Sequence, residues 1–234
     1  MKNFIVSFFS IIALTMTTTS ISYAQDTNTN MGSIYIVSYF EVNPQSDKIA
    51  VNLLKELSRQ SSKEKGNQRF EVLQQMDRPD HFAVLEAWSN QDAHTAHQNS
   101  SDTIRLKESL KPILRSTYDE RPHTALEVGS LKPNQTNKND IYAITHVDIV
   151  PTLKEQGVAL VKNITKVSRS DAGQTRFEAL TQNSRPNHMT LVEIWSTKAA
   201  NDAHQVSVHK KGFRSNLSTM SGSLYDERFY QLLE

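Results

Sequence analysis

The sequence predicts an α+β fold in which one βαββαβ unit, the ferredoxin-like split βαβ, is written twice and folds back on itself as an intramolecular pair. Three observations predict it: a repeat at constant offset, strand and helix periods that alternate in the same order within each repeat, and an apolar sheet face left without a partner.

The repeat decides the architecture. Arg69-Phe70-Glu71 recurs as Arg176-Phe177-Glu178, and the same offset of 107 carries Glu86-x-Trp88-Ser89 onto Glu193-x-Trp195-Ser196. It also carries Arg78-Pro79-x-His81 onto Arg185-Pro186-x-His188, Ala96-His97-Gln98 onto Ala203-His204-Gln205, and Tyr118-Asp119-Glu120-Arg121 onto Tyr225-Asp226-Glu227-Arg228. No gap is needed. The copies run over 33–128 and 140–234, and the Lys-, Asn-, Pro- and Thr-rich stretch 129–139 reads as an exposed linker.

Within the first copy, Ser33 to Val42 is apolar and β-rich, a strand. Pro44 to Gln60 is a helix with Pro at its start and Ile49, Leu53, Leu54 and Leu57 on one face. Arg69 to Gln75 and His81 to Trp88 are strands joined by a turn at Asp77-Arg78-Pro79. A helical stretch from Asn90 to Leu114 and a last strand from Thr117 to Val128 complete the unit. Both helices cover one face of the four-stranded sheet. The other face, taken to carry Phe82, Val84 and Trp88, demands a partner that the second copy supplies. Further homo-oligomerisation is left open.

The chain begins with Lys2, an apolar run from Phe4 to Leu14 and a polar stretch ending Ser22-Tyr23-Ala24. This pattern is that of a secretory signal peptide (1–24), cut after Ala24, and 25–32 reads as a flexible Asn/Thr-rich leader. The apolar run falls short of the about 20 residues that span a bilayer, and the alternative reading is a membrane anchor that is never cut. The expected location is therefore periplasmic or secreted, with no membrane attachment after cleavage. The sequence has no cysteine, which excludes a thiol-linked lipid anchor, disulfides and Cys-ligated metals. Without Lys2 the chain carries 25 basic and 25 acidic residues, so no strong field recruits nucleic acid. Seven glycines, with no phosphate-cradling Gly-rich loop and no G-x-S-x-G elbow, argue against a nucleotide fold.

Candidate chemistry sits in the repeated residues. Glu86 and Glu193 share an apolar strand face with Phe82, Val84 and Trp88, or with Met189, Leu191 and Trp195. A carboxyl there has a raised pKa and can abstract a proton, unless an Arg such as Arg69 or Arg121 pairs with it. His97 and His204 follow on the next helix; each serves as a base or is satisfied by a backbone carbonyl. His94 and His97 could share a helix face, but Asn201 replaces His94 in the second copy, so no metal site is expected. Trp88 and Trp195 read as core or as pocket wall. Tyr39, matched by His146 on the first strand, could give the two copies different ligand preferences. Arg78 and Arg185 precede prolines in turns and read as solvated.

Gly66-x-x-Arg69-Phe70-Glu71-x-Leu73, Arg78-Pro79-x-His81-Phe82, Glu86-x-Trp88 and Ala93-x-x-Ala96-His97 resemble the antibiotic-biosynthesis-monooxygenase domain in its quinol monooxygenase-like branch. The second copy matches at Gly173, Arg176-Phe177-Glu178-x-Leu180, Glu193-x-Trp195 and Ala200-x-x-Ala203-His204, and continues to His209 and Phe213. The resemblance implies the dimeric α+β barrel and a pocket between sheet and helices. It also implies a reaction with dioxygen that needs no cofactor, on a small aromatic such as a quinol. His204 would be the base, assisted by Glu193, with His209, Phe213, Trp195, Trp88, Tyr39 and His146 shaping the pocket; His97 and Glu86 would be the first-copy equivalents. Asp102 and Leu106 stand where the second copy has His209 and Phe213, so only the second copy keeps the full set. A haem-degrading relative would place Trp at His97 and His204 and a further His at Lys107 and Arg214, which this chain lacks. The competing readings are a non-catalytic small-molecule binder and a purely structural pair; a cavity too small for any ring would favour the last.

Overall fold

The computed structural model describes residues 32–129 and 137–233. The expected signal peptide, nearly all of the expected leader and most of the expected linker lie outside the described residues. Among the described residues no helix is long and apolar enough to cross a membrane.

The first copy comprises β1 (Ile34–Glu41), α1 (Asp47–Ser61), β2 (Asn67–Gln75), β3 (His81–Trp88), α2 (Gln91–Gln98), α3 (Ser101–Leu110) and β4 (Asp119–Glu127). The second comprises β5 (Ile141–Asp148), α4 (Lys154–Ser168), β6 (Gln174–Gln182), β7 (His188–Trp195), α5 (Lys198–Gln205), α6 (Val208–Ser218) and β8 (Asp226–Leu232). The eight strands close one antiparallel barrel in the order β1-β3-β2-β8-β5-β7-β6-β4, with β4 pairing back onto β1. Each copy's last strand thus forms a seam with the other copy: Leu73 opposes Leu232, and Ala125 opposes Leu180.

Alternation along the strands sorts side chains into three cores. Inside the barrel lie Tyr35, Val37, Leu73, Ala83, Leu85 and Ala87, meeting Tyr142, Ile144, Leu180, Val192, Ile194 and Tyr230. The face that binds the copies together therefore carries Ala83, Leu85 and Ala87. Phe82, Val84 and Trp88 point the other way, against Leu54 and Leu57 of α1 and Leu106 and Leu110 of α3. The expectation that they form the inter-copy face is corrected on this point. Every residue of β3 is buried, so its two faces are equally apolar and period alone cannot tell them apart.

Two further expectations are corrected. Ile49 is 53% exposed; the buried stripe of α1 runs through Ala50, Leu54 and Leu57. The stretch from Asn90 to Leu114 is two α-helices because Ser100 leaves the helical region (ψ 147°) and caps α3, its Oγ accepting from the Thr103 N–H at 3.2 Å. Ser207 does the same for α6.

Candidate functional site

Gly66 (φ +85°) and Gly173 (φ +80°) occupy the left-handed region at the start of β2 and β6. A Cβ on Gly66 would lie 2.5 Å from the Ala93 Cβ, and one on Gly173 2.6 Å from the Ala200 Cβ. This close approach docks the turn before each strand onto α2 or α5, whose N-termini are capped by Asn90 and Thr197. The turn carries Glu64 or Asp171, and the helix carries His97 or His204 in its last turn. The docking brings acid and imidazole together: His97 Nδ1 is 2.9 Å from Glu64, and His204 Nδ1 is 2.7 Å from Asp171.

On the sheet, two-residue spacing puts Glu and Trp on one face. Trp88 Nε1 donates to Glu86 at 2.8 Å, and Trp195 Nε1 to Glu193 at 3.2 Å. Each indole also stacks on the imidazole, with centroids 4.6 Å apart in the first copy and 4.5 Å in the second. His97 Nε2 lies 3.7 Å from Glu86, and His204 Nε2 3.4 Å from Glu193. Both copies therefore hold an acid–imidazole–carboxyl row. Arg69 and Arg121 play no part in it, contrary to the ion-pair expectation: Arg69 pairs with Glu178 and Arg121 with Asp119.

Electrostatically the copies differ. Burial pushes the Glu86 carboxyl up to about 8, so it is mostly protonated at neutral pH, and burial pushes His97 down to about 4. In the second copy Lys210 replaces Thr103. Its ammonium is wholly buried and donates to Glu193 at 2.7 Å and to Glu227 at 2.8 Å. Burial opposes the charge on Lys210, but the two carboxylates outweigh it and hold its pKa above the usual range. Burial keeps His204 below its ordinary value despite Glu193. His209, in place of Asp102, sets Nε2 2.8 Å from the same Asp171 oxygen that meets His204. Asp102 instead pairs with Arg105.

The substrate-binding set predicted from sequence falls in two places. Trp88 and Trp195 are buried against the imidazoles, Phe213 is buried in the second copy's core, and His209 lies at the rim. Tyr39 and His146 lie apart, lining a cavity of about 220 Å³ at one end of the barrel with Arg121, Arg228, His81 and Tyr230. The cavity touching Glu86 and His97 measures only about 10 Å³, room for a water and not for a ring. A wider groove of about 510 Å³ borders the second site and meets its ion-pair cluster at Glu227 and Arg214. Arg78 and Arg185 are exposed, as expected.

Sequence reasoning missed Glu64, Asp171 and Lys210. The first two carried a usable signal: an acid two residues before the repeated glycine in both copies.

The model of the antibiotic biosynthesis monooxygenase family matches residues 33–108 and 140–215. The chain belongs to that family. An isomerase of (4S)-4-hydroxy-5-phosphonooxypentane-2,3-dione from Photorhabdus laumondii is 32% identical over 89 residues, covering 36% of this chain and 88% of the relative. Among solved structures, a candidate monooxygenase from Fusobacterium nucleatum superposes with a TM-score of 0.78 at 15% identity, covering 87% of this chain and 93% of that one. Another from Lactobacillus acidophilus gives 0.72 at 15% identity, covering 87% and 95%. These two show the shared fold.

Proposed function

We propose that the chain is an exported, cofactor-independent monooxygenase-like protein that acts on a small aromatic such as a quinol, with dioxygen as co-substrate. The observation that carries this reading is the state of His204. Its Nδ1 is held by Asp171, while its Nε2 is buried and makes no hydrogen bond. A neutral imidazole fixed this way presents a lone pair as general base, as a carboxylate-oriented histidine does in hydrolytic triads. Removing a phenolic proton leaves an electron-rich anion that can react directly with dioxygen. Glu193, held by Lys210 and Trp195, assists, and His209 shapes the rim. The relative named as an isomerase of a dione is consistent with the same elementary step, because isomerising such a compound also moves a proton.

Oxygen consumption by the chain from Gln25 onward, with naphthoquinols, benzoquinols and catechols and with autoxidation subtracted, tests the reading. Uptake above background that collapses in His204→Ala supports it; no uptake with any of them sinks it. His209→Ala is expected to lower the rate more than Asp102→Ala, and equal effects would count against an active second copy.

One observation favours a non-catalytic reading. The cavity at His97 is too small for a ring, whereas the cavity at Tyr39 and His146 and the groove at Glu227 have room. A rise in melting temperature with a small aromatic, without oxygen uptake, would assign the chain as a binding protein.

A further inference from the structure

We infer that Asp171, His204 and His209 bind one divalent transition-metal cation of the zinc class, at a site that the first copy does not possess. The inference goes beyond the proposed reaction and its test needs no substrate. Asp171 Oδ2, His204 Nδ1 and His209 Nε2 lie within 4.8 Å of one another. Oδ2 is 2.7 Å from one nitrogen and 2.8 Å from the other. Zinc–ligand bonds of about 2.0–2.1 Å set neighbouring ligand atoms about 3.0–3.4 Å apart, so a few tenths of an ångström of opening seats the ion. Two imidazoles and one carboxylate suit zinc, cobalt or nickel and not magnesium or calcium.

The second observation is independent of that triangle. His204 Nε2 is buried without a hydrogen bond, yet Glu193 Oε2 stands 3.4 Å from it. In the metal-free ring a proton on Nδ1 serves Asp171 and leaves an Nε2 lone pair facing a carboxylate. A cation on Nδ1 moves the ring proton to Nε2, where Glu193 can accept it. This is the outer partner that metal-bound histidines ordinarily have. Lys210 and Trp195 already fix Glu193 for that role. Entry is from the rim, where the Asp171 side chain is 21% and that of His209 26% exposed. The first copy has Glu64, His97 and Asp102 at these positions, and its Asp102 is drawn to Arg105. Because the cation occupies Nδ1 and the displaced ring proton then sits on Nε2, the imidazole has no free lone pair, so such an ion would act as an inhibitor of the proposed proton transfer.

The test is equilibrium dialysis of the metal-stripped chain from Gln25 onward against Zn²⁺, with elemental analysis, and a visible absorption spectrum with Co²⁺. One ion per chain is expected. Asp171→Asn and His209→Gln should each weaken binding by more than about tenfold, while Asp102→Ala leaves it unchanged. Thermal unfolding in EDTA confirms that each variant folds. No zinc bound by the wild type, unchanged binding in both site variants, or loss in Asp102→Ala overturns the inference. Oxygen uptake by the metal-free protein is a separate result, so either proposal can fail without the other.

Discussion

The Arg69 guanidinium of the first copy forks onto Glu178 of the second, at 3.0 and 2.8 Å, and Arg176 returns the contact to Glu71. These four residues share the two-residue spacing of Leu73 and Leu180 and so lie on the barrel's inner face, where the two copies meet. Removing one member strands a buried charge, which costs about 3–5 kcal/mol. Arg69→Met should therefore lower the urea midpoint sharply, and Arg69→Met with Glu178→Met should recover much of the loss. Glu178 makes the quartet sensitive to acid. Burial pushes its carboxyl up, but Arg69 and Arg176 outweigh this and hold it below its ordinary 4.5. A depressed carboxyl stabilises the fold above 4.5 and that contribution is lost as pH falls through the lower folded value. Acid unfolding should be less steep in the double variant.

Glu86 has the opposite sign. Its folded pKa of about 8 lies above the ordinary 4.5. Its contribution is fully present below 4.5 and is lost as pH rises through 8, with a slope approaching about 1.4 kcal/mol per pH unit between them. Glu86→Gln should remove that slope. Melting temperatures from pH 5 to 9 decide it: a wild type and a Gln variant that fall in parallel would mean that Glu86 is ionised throughout.

Lys210 neutralises Glu193 and Glu227 from within the core. Lys210→Met leaves the buried Glu193 without a cation, and Glu227 with Arg214 alone, and should cost about 3–5 kcal/mol. Adding Glu193→Gln to Lys210→Met should recover much of the loss. A loss that the second substitution leaves unchanged would point to packing instead of charge.

Gly173→Ala forces a side chain into the left-handed region and against the Ala200 Cβ. A cost of at least about 1–2 kcal/mol is expected from the backbone alone. Because that contact aligns Asp171 with His204, the variant should also weaken zinc binding and any base-dependent activity. Unaltered stability would show that the turn relaxes freely.

Much of this was legible in the sequence. The repeat carried the order of elements within each copy. The i, i+2 spacing put Glu86 and Trp88 on one face of β3, though that face was read as the one meeting the other copy and not the one His97 approaches. The rest was hidden for identifiable reasons. β3 is apolar on both faces, so which one met the other copy could not be read. Comparing the copies highlights shared residues, and Lys210 stands opposite Thr103, so the comparison passes over it. Asp171 lies 33 residues from His204, in a turn whose docking depends on tertiary contact between a glycine and an alanine. The split between α2 and α3 did have a local signal, a serine cap in both copies, that helical periodicity masked.

The two seams, β2 with β8 and β4 with β6, have a consequence for how the molecule persists. A barrel assembled from two separate chains falls apart on dilution, since its stability depends on protomer concentration. Here the halves are one polypeptide, so refolding should be first order and its midpoint the same at nanomolar as at micromolar protein. Covalent tethering also guarantees that a lysine-bearing half always meets a threonine-bearing half. Mixtures of like with like never arise, which frees each half to drift toward its own chemistry while the shared shell stays closed.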